Sequence, residues 1–201
     1  LASPEPKECV PKDRAVVSGT PTRRALREAD PNEARSALQL PADGRVVLVM
    51  GGSLGSAALN EAVETNLDTL LAEEDVHVVW QTGTRYHEAI EKRVDDHPRL
   101  RLLEYIDRMD RAYATADLVV CRAGALTCSE LMVTGTPAVL VPSPNVVADH
   151  QTKNARSMER TGAAQLLPET KLHDRFADVV HNLLHDPDAR AEMAEAGRRM
   201  A

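Results

Sequence analysis

The sequence predicts an α/β fold in which helices cover both faces of a parallel β-sheet. Short apolar runs recur along the chain, and segments with apolar residues at helical spacing separate them. The runs are apolar at consecutive positions, which is typical of strands buried on both faces. Glycine or another turn residue follows several of the runs, where a turn from strand to helix is expected.

The composition agrees with such a domain and argues against other classes. The chain has 201 residues, of which 43% are hydrophobic and 2% aromatic, so we expect one domain with an aliphatic core. The net charge of -7 and the scattered basic residues argue against a nucleic-acid partner. Three cysteines without a CxxC pair argue against a disulfide scaffold or zinc site and favour a reducing, cytoplasmic compartment. No apolar run approaches the ~20 residues of a membrane-spanning helix.

The elements follow in a regular order. Residues 15–17 (AVV) predict a short strand, and residues 21–40 predict a helix that Pro41 ends. Residues 45–50 (RVVLVM), between turn residues, predict the first long strand. Further strands are predicted at 76–80, 100–104, 118–121, 138–141 and 163–167. Helices are predicted around 59–71, at 84–95, 109–115, 125–134 and 149–160, around 172–183, and at 187–200.

The first candidate site is the loop Gly51–Ser56 (GGSLGS), between a predicted strand and a predicted helix. In a parallel α/β sheet, ligands bind beyond the carboxyl ends of the strands, near the point where the strand order reverses. Gly52 allows a close backbone approach, Ser53 adds a hydroxyl, and the helix N-terminus favours an anion. The loop lacks the Gly-Lys-Ser/Thr of a P-loop and a strict GxGxxG, which disfavours triphosphate hydrolases and dinucleotide dehydrogenases. An ordinary strand-to-helix turn is the alternative.

A second candidate site is the stretch 121–130 (CRAGALTCSE). Gly124 allows the turn out of the strand, after which Leu126 and Thr127 offer N–H groups in a first helical turn. Two such loops suggest a ligand that carries a diphosphate, and the alternative is that the two loops serve different ends. Glu130 follows about one turn later and could accept both hydroxyls of a ribose. The alternative for Glu130 is a solvated residue near a favourable helix end.

A third candidate is the stretch 148–155 (ADHQTKNA), after another predicted strand. Asp149 is expected to cap the helix. Gln151 and Asn154 lie on one helix face, and amides suit sugar hydroxyls because each offers a donor and an acceptor. An exposed polar face is the alternative. His150 has no second ligand at metal-binding spacing.

The stretch 77–83 (HVVWQTG) also ends a predicted strand. We expect Trp80 in the core, while Gln81 and Gly83 could line the cleft. Backbone groups around Ile106, which follows another strand, could read the edge of a base.

Five stretches, in this order, resemble the carboxyl-terminal half of the MurG family, the bacterial N-acetylglucosaminyltransferases of peptidoglycan synthesis. They are GTPTR (19–23), GGSLGS (51–56), WQTG (80–83), YIDRMDRAYATADLVVCRAGALTCSEL (105–131) and VPSPNVVADHQTKNA (141–155). The match covers most of residues 15 to 167 and is most specific in CRAGALT-x-SE and DHQTKNA.

The resemblance implies one half of a GT-B glycosyltransferase, in which a cleft separates two Rossmann-like domains. Residues 15–201 would be the domain that binds the donor UDP-N-acetylglucosamine, and residues 1–14 a flexible lead. The acceptor, a lipid-linked muramyl pentapeptide, and the cytoplasmic face of the plasma membrane would contact an amino-terminal domain absent from this chain. The chain begins at Leu1 without methionine, which we interpret as an excised domain.

The resemblance also implies roles for individual residues. Arg23 and Ser53 would contact the donor near the diphosphate, and Leu126 and Thr127 would offer backbone N–H groups to the diphosphate. Ile106 would read the uracil through its backbone. Glu130 would hold the ribose hydroxyls, and Gln151 would hold the sugar hydroxyls. Weaker assignments fall on Gly52, Gly124, His150 and Asn154.

The departures from the family matter as well. The family's amino-terminal glycine-rich loop, with its proposed general base, has no counterpart, so we expect no catalytic residue here and binding without transfer. Because we find no DxD-type acidic pair suited to diphosphate-metal coordination, we expect no metal and no cofactor. Thr20 replaces a more usual asparagine, and Leu54 a common glutamine. Two alternatives stay open: another GT-B UDP-sugar transferase, such as one of glycolipid synthesis, or a non-catalytic nucleotide-binding or docking module.

Overall fold

The computed structural model describes residues 20–145 and 149–201. Six parallel strands form one sheet in the order β3-β2-β1-β4-β5-β6. The strands are β1 (Arg45–Met50), β2 (Val76–Gln81), β3 (Leu100–Leu103), β4 (Leu118–Cys121), β5 (Ala138–Leu140) and β6 (Gln165–Leu166). The predicted Rossmann-like α/β fold is confirmed. The lead predicted at 1–14 and the strand predicted at 15–17 lie outside the described residues.

Helices flank this sheet on both faces. They are α1 (Ala25–Glu28), α2 (Pro31–Ala37), α3 (Ala57–Leu71), α4 (His87–Glu91), α5 (Met109–Thr115), α6 (Ala125–Thr134), α7 (His150–Arg160), α8 (Leu172–His185) and α9 (Pro187–Met200), with a 3-10 turn at Glu169–Lys171. The predicted bounds of α5, β4 and α6 are confirmed. No helix among the described residues is both long and apolar enough to cross a membrane.

The single helix predicted over 21–40 is wrong, because Pro31 divides it into α1 and α2. Proline has no N–H to donate and fixes its own φ, so it suits the first position of a helix. Asp30 caps α2 by accepting hydrogen bonds from the N–H groups of Asn32 at 2.8 Å and Glu33 at 2.9 Å. The helix predicted over 84–95 is regular only over α4.

Two apolar layers hold the helices on the sheet. Alternate strand residues such as Val47 and Val49 face α3 and α8, whereas Val46 and Leu48 face the layer of α5, α6 and α7. Burying one such side chain contributes about 1.5–3 kcal/mol. Trp80 lies in the core as predicted, and its Nε1 donates to Asn60 Oδ1 at 3.0 Å, so its polar atom is satisfied.

The strand order creates a crevice between β1 and β4. The chain builds β1, β2 and β3 outward on one side and then returns to place β4 against the other side of β1. In the register, Met50 pairs with both Gln81 and Cys121, so the neighbouring strands end at one level. The helices that follow β1 and β4 pack on opposite faces. The loops that follow β1 and β4 therefore run apart and leave a crevice between them. In α/β proteins, ligands bind in the crevice where the strand order reverses in this way.

Two loops support each other at this edge. Gly55 (φ +82°) leaves so little room that a Cβ would stand 2.1 Å from the carbonyl oxygen of Thr82. At Gly83 (φ +84°) a Cβ would stand 2.1 Å from the backbone nitrogen of Gly55. The N–H of Thr84 also donates to the carbonyl of Ser53 at 3.1 Å. The loop after β2 therefore buttresses the loop after β1, and both glycines are needed for close packing.

We expect Gly55→Ala to destabilise the domain by more than the about 1–3 kcal/mol that a strained backbone conformation alone costs. The added methyl group would overlap backbone atoms, which cannot rotate away. Gly52→Ala is the matched control, because Gly52 also has a positive φ (+90°) but no atom lies within 4 Å of a Cβ there. Chemical denaturation of both variants measures the difference. Equal losses of unfolding free energy would contradict this account.

Candidate functional site

The loop after β1 forms one wall of the crevice. Ser56 caps α3, since its Oγ accepts a hydrogen bond from the N–H of Leu59 at 3.3 Å. Gly52 is exposed, and nothing stands within 4 Å of its missing side chain, so a ligand can approach the backbone there. Gln81 Nε2 donates to the carbonyl of Gly52 at 3.3 Å. Ser53 is exposed beside it. The geometry agrees with an anion-binding turn at a helix N-terminus.

The loop after β4 forms the opposite wall. Gly124 stands at the N-cap of α6 and has no side chain to cap it. The N–H of Cys128 donates to the carbonyl of Gly124 at 2.9 Å. The N–H groups that precede Cys128 in the first turn of α6, including those of Leu126 and Thr127, have no carbonyl acceptor within the helix. Leu126 is half exposed. The first turn of α6 can therefore present several N–H groups to one anion.

Arg122 joins the two walls. Its Nη2 donates to Ser56 Oγ at 2.6 Å, and its Nη1 donates to the carbonyl of Val141 at 3.2 Å. It also forms an ion pair with Glu169. The guanidinium thus ties the turn after β1 to the ends of β4 and β5. The sequence gives no sign of this role, because no spacing pattern marks a contact between distant loops.

Glu130 lies inside the molecule rather than in solvent. It is only 5% exposed, and its Oε2 accepts a hydrogen bond from Tyr113 OH at 3.1 Å. Burial raises the pKa of the Glu130 carboxyl, while the Tyr113 hydroxyl and the charge of Arg23 act in the opposite direction. The alternative of a solvated helix residue is therefore wrong for Glu130. Sequence reasoning missed Tyr113, which lies on α5, although it is in the stretch that carries the resemblance.

Helix α7 contributes two amides to the same edge. Gln151 Oε1 accepts a hydrogen bond from the N–H of Ser143 at 2.9 Å, which holds the loop after β5. Asn154 Nδ2 donates to the carbonyl of Ala123 at 2.9 Å, in the loop after β4. Both amides are half-buried, so the alternative of an exposed polar face does not describe them. Their contacts connect α7 to two of the strand ends.

The start of α7 differs from the prediction. The expected cap by Asp149 is wrong, because its side chain makes no capping hydrogen bond. Its φ of +50° is left-handed, whereas an N-cap side chain reaches the helix N–H groups from an extended backbone. His150 is exposed at the first helical position. Residues 146–148, which precede this turn, lie outside the described residues.

The remaining predicted residues lie in different surroundings. Ile106 is buried after β3, so only its backbone could meet a ligand. Arg23 is exposed just before α1, close enough to Glu130 for its charge to act on that carboxyl. Gly83 was expected to line the cleft, but it packs against Gly55. The ligand roles of all the predicted site residues stay predictions.

Comparisons with known proteins place this arrangement in a family. Residues 46–201 match the model described as the glycosyltransferase family 28 C-terminal domain. A protein of Salinibacter ruber is 66% identical over 201 residues, which are 100% of this chain and 54% of that protein. One of Porphyromonas gingivalis W83 is 39% identical over 206 residues, again 100% and 54%. Both are named UDP-N-acetylglucosamine--N-acetylmuramyl-(pentapeptide) pyrophosphoryl-undecaprenol N-acetylglucosamine transferase.

A solved structure supports the same relationship. The crystal structure of Acinetobacter baumannii MurG superposes with a TM-score of 0.70 at 31% sequence identity, and the match covers 93% of this chain and 53% of that one. The chain therefore spans about half the length of the relatives it matches. The resemblance to MurG predicted from five short stretches is confirmed. The chain belongs to glycosyltransferase family 28, and residues 46–201 correspond to the C-terminal domain of that family.

Proposed function

We propose that this chain is the donor-binding part of an inverting glycosyltransferase, one half of a GT-B enzyme. The enzyme would move N-acetylglucosamine from UDP-N-acetylglucosamine to an undecaprenyl-diphosphate-linked muramyl pentapeptide, a step of peptidoglycan precursor synthesis. The observation that carries the proposal is the crevice between β1 and β4, where two helix N-termini open beside each other and Arg122 ties their loops together. The names of the relatives agree with this activity.

The two helix N-termini suit the diphosphate of the donor. When the acceptor hydroxyl attacks the anomeric carbon, the bond to UDP breaks and negative charge develops on the departing diphosphate. The N–H groups of Leu126 and Thr127, the hydroxyl of Ser53 and the charge of Arg23 would stabilise that charge. Such donors are held in place before the reaction, and removing one typically costs a factor of ~10² or more in rate. Arg122 would act as a positioning residue, since Ser56 and an acid already engage it.

The buried carboxylate suits the ribose. A carboxylate offers about four acceptor positions, and the Tyr113 hydroxyl takes one of them at Glu130. The two neighbouring hydroxyls of a ribose could donate hydrogen bonds to the remaining acceptor positions of the Glu130 carboxylate. The backbone near Ile106 would read the uracil. Tyr113 would therefore be a positioning residue that fixes the direction of the carboxylate.

The amides of α7 suit the sugar. Gln151 already uses its oxygen to hold the Ser143 N–H, so its amide nitrogen would donate to the sugar hydroxyls. Asn154 donates to the carbonyl of Ala123 and would chiefly position the loop after β4. His150, exposed at the start of α7, is the weaker candidate.

The general base, the acceptor site and the membrane contact would belong to another part of the whole protein. That protein would work as a peripheral enzyme on the cytoplasmic face of the plasma membrane. The chain described here would supply donor affinity and leaving-group stabilisation, without a catalytic base of its own.

We expect the chain to bind UDP and UDP-N-acetylglucosamine and to discriminate against ADP, as measured by titration calorimetry. Glu130→Ala should weaken both uridine ligands about tenfold or more, because a charge-assisted hydrogen bond contributes about 1.5–3 kcal/mol. Gln151→Ala should weaken only the sugar nucleotide, because UDP lacks the sugar. Glu192→Ala, an exposed acid on α9, is the control and should change neither affinity.

The other outcomes of this titration separate the alternatives. Preference for UDP-glucose or UDP-galactose would favour a different UDP-sugar transferase. Preference for ADP would overturn the nucleotide assignment. Unchanged affinity in both Glu130→Ala and Gln151→Ala would favour a docking module.

We also expect that this chain alone does not transfer the sugar. With UDP-N-acetylglucosamine and a lipid-linked muramyl pentapeptide, it should release no UDP above the rate of buffer, because the proposed base lies elsewhere. A coupled assay for UDP measures this, and the full-length relative from Salinibacter ruber serves as the positive control. Measurable turnover by the chain would contradict the division of roles.

The burial of Glu130 has a consequence for stability. Its pKa in the folded chain lies above the ordinary value of 4.5, so the folded state holds the proton more tightly than the unfolded state does. The resulting stabilisation is complete below the ordinary pKa and is lost as the pH rises through the raised pKa. At neutral pH the folded chain therefore carries the cost of a buried carboxylate.

We expect Glu130→Gln to be at least as stable as the parent chain at neutral pH and to lose this advantage as the pH falls towards 4.5. Glutamine removes the buried charge but can still accept from the Tyr113 hydroxyl. Thermal unfolding across this pH range measures the effect, and Glu192→Gln controls for net charge. If Glu130→Gln were the less stable protein at neutral pH, the carboxylate would have a structural role instead.

A further inference from the structure

A cluster of three metal-ligating side chains lies at the opposite edge of the sheet from the crevice. Glu73 stands in the turn between α3 and β2, at the amino ends of the strands, and His181 and His185 lie one turn apart on α8. We propose that these three residues bind one divalent transition-metal ion, of which Zn²⁺ is the representative. The spacing of 108 residues between Glu73 and His181 hides the cluster from sequence analysis, which predicts no metal.

The distances within the cluster fit a shared ion. Nδ1 of His181 lies 3.2 Å from Glu73 Oε1, and Nε2 of His185 lies 3.0 Å from Glu73 Oε2. One ligand atom from each residue falls within 4.8 Å of the others. Around a tetrahedral zinc ion with bonds of about 2.0–2.1 Å, neighbouring ligand atoms stand roughly 3.3 Å apart. The two histidine–carboxylate distances match this spacing, and the three ligand atoms would draw together from within 4.8 Å to share one ion.

A hydrogen bond to the backbone determines which ring nitrogen of His185 could bind a metal. Its Nδ1 lies 2.8 Å from the carbonyl oxygen of His181, which can only accept, so Nδ1 carries a proton. In the neutral ring, Nε2 is then an acceptor, and it lies 3.0 Å from a second acceptor, Glu73 Oε2. Arg45 bridges the two atoms, because its Nη2 lies 2.6 Å from Glu73 Oε2 and its Nη1 lies 3.2 Å from His185 Nε2, so a metal ion would take the place of that guanidinium. A histidine that donates one ring N–H to a backbone carbonyl, as His185 does, has the tautomer and orientation usual in a metal ligand.

The charges around the cluster leave room for a cation. Arg45 donates to both oxygens of Asp75, at 2.9 and 2.7 Å, and these two residues form a neutral pair. Arg45 also donates to Glu73 at 2.6 Å and lies 3.2 Å from His185 Nε2. Arg45 therefore contacts two carboxylates, Asp75 and Glu73, with a single positive charge. One negative charge thus remains beside two imidazoles.

The ligand set indicates the class of ion and its effect. Two imidazole nitrogens and one carboxylate suit Zn²⁺, Ni²⁺ or Cu²⁺ better than Mg²⁺ or Ca²⁺, which prefer oxygen ligands. The side chains of Glu73, His181 and His185 are 30%, 59% and 42% exposed, so an ion can enter and keep a water ligand. A bound ion would link the end of α8 to the turn before β2. It would stabilise the folded chain by mass action, away from the donor crevice.

Titration calorimetry of the untagged, chelator-treated chain with Zn²⁺ alone tests this inference. We expect one ion per chain. His181→Ala and His185→Ala should each lower the affinity by about tenfold or more, because even the loss of an outer partner of a ligand costs about 10–100-fold. His173→Ala is the matched control, since His173 is exposed on the same helix but outside the cluster. It should bind Zn²⁺ like the parent chain.

Two further measurements do not depend on the affinity of the variants. Zn²⁺ should raise the midpoint of thermal unfolding of the parent chain and of His173→Ala, but not of His181→Ala or His185→Ala. Co²⁺ bound to the parent chain should show visible absorption of a site with fewer than six ligands. No Zn²⁺ binding by the parent chain, or equal binding and equal thermal shifts in all the variants, would overturn the inference.

Discussion

The candidate site depends on one constraint, the parallel pairing of β1 with β4. Because Met50 stands opposite Cys121, the turns that follow the two strands begin at the same level and run to opposite faces of the sheet. The contacts proposed for Ser53, Leu126 and Thr127 with the diphosphate start from that divergence. A shift of one residue in the register would move the two helix N-termini apart and turn buried side chains of β4 to the other face.

Several groups that are costly to bury lie near the paired ends of β1 and β4, and each has a hydrogen-bond or ion-pair partner. Arg122 is stabilised by Ser56, by a carbonyl of the next strand end and by Glu169. Glu130 is held by Tyr113 while its pKa is raised. A buried carboxylate costs stability at neutral pH, so its presence agrees with selection for binding rather than for stability. The aliphatic layers on both faces offset such costs.

The two edges of the sheet have different chemistry. The carboxyl edge combines helix N-termini, amides and one buried acid, which suits a nucleotide sugar. The amino edge carries Arg45, Glu73, Asp75 and two histidines in one exposed network. The proposed metal site belongs to this second edge and would affect stability rather than donor affinity. The two proposals can therefore fail independently.

The sequence alone determined the fold class and the positions of the strand-to-helix loops, because strand burial, helical spacing and glycine turns are local signals. The bounds of α5, β4 and α6 and the burial of Trp80 were all predictable in this way. Tertiary structure decided the contacts between residues distant in the chain. Arg122 on Ser56, Tyr113 on Glu130 and the cluster around Glu73 depend on how strands are ordered and helices packed, for which sequence spacing carries no signal. The left-handed backbone at Asp149 was also hidden, since the residue type alone favours a cap.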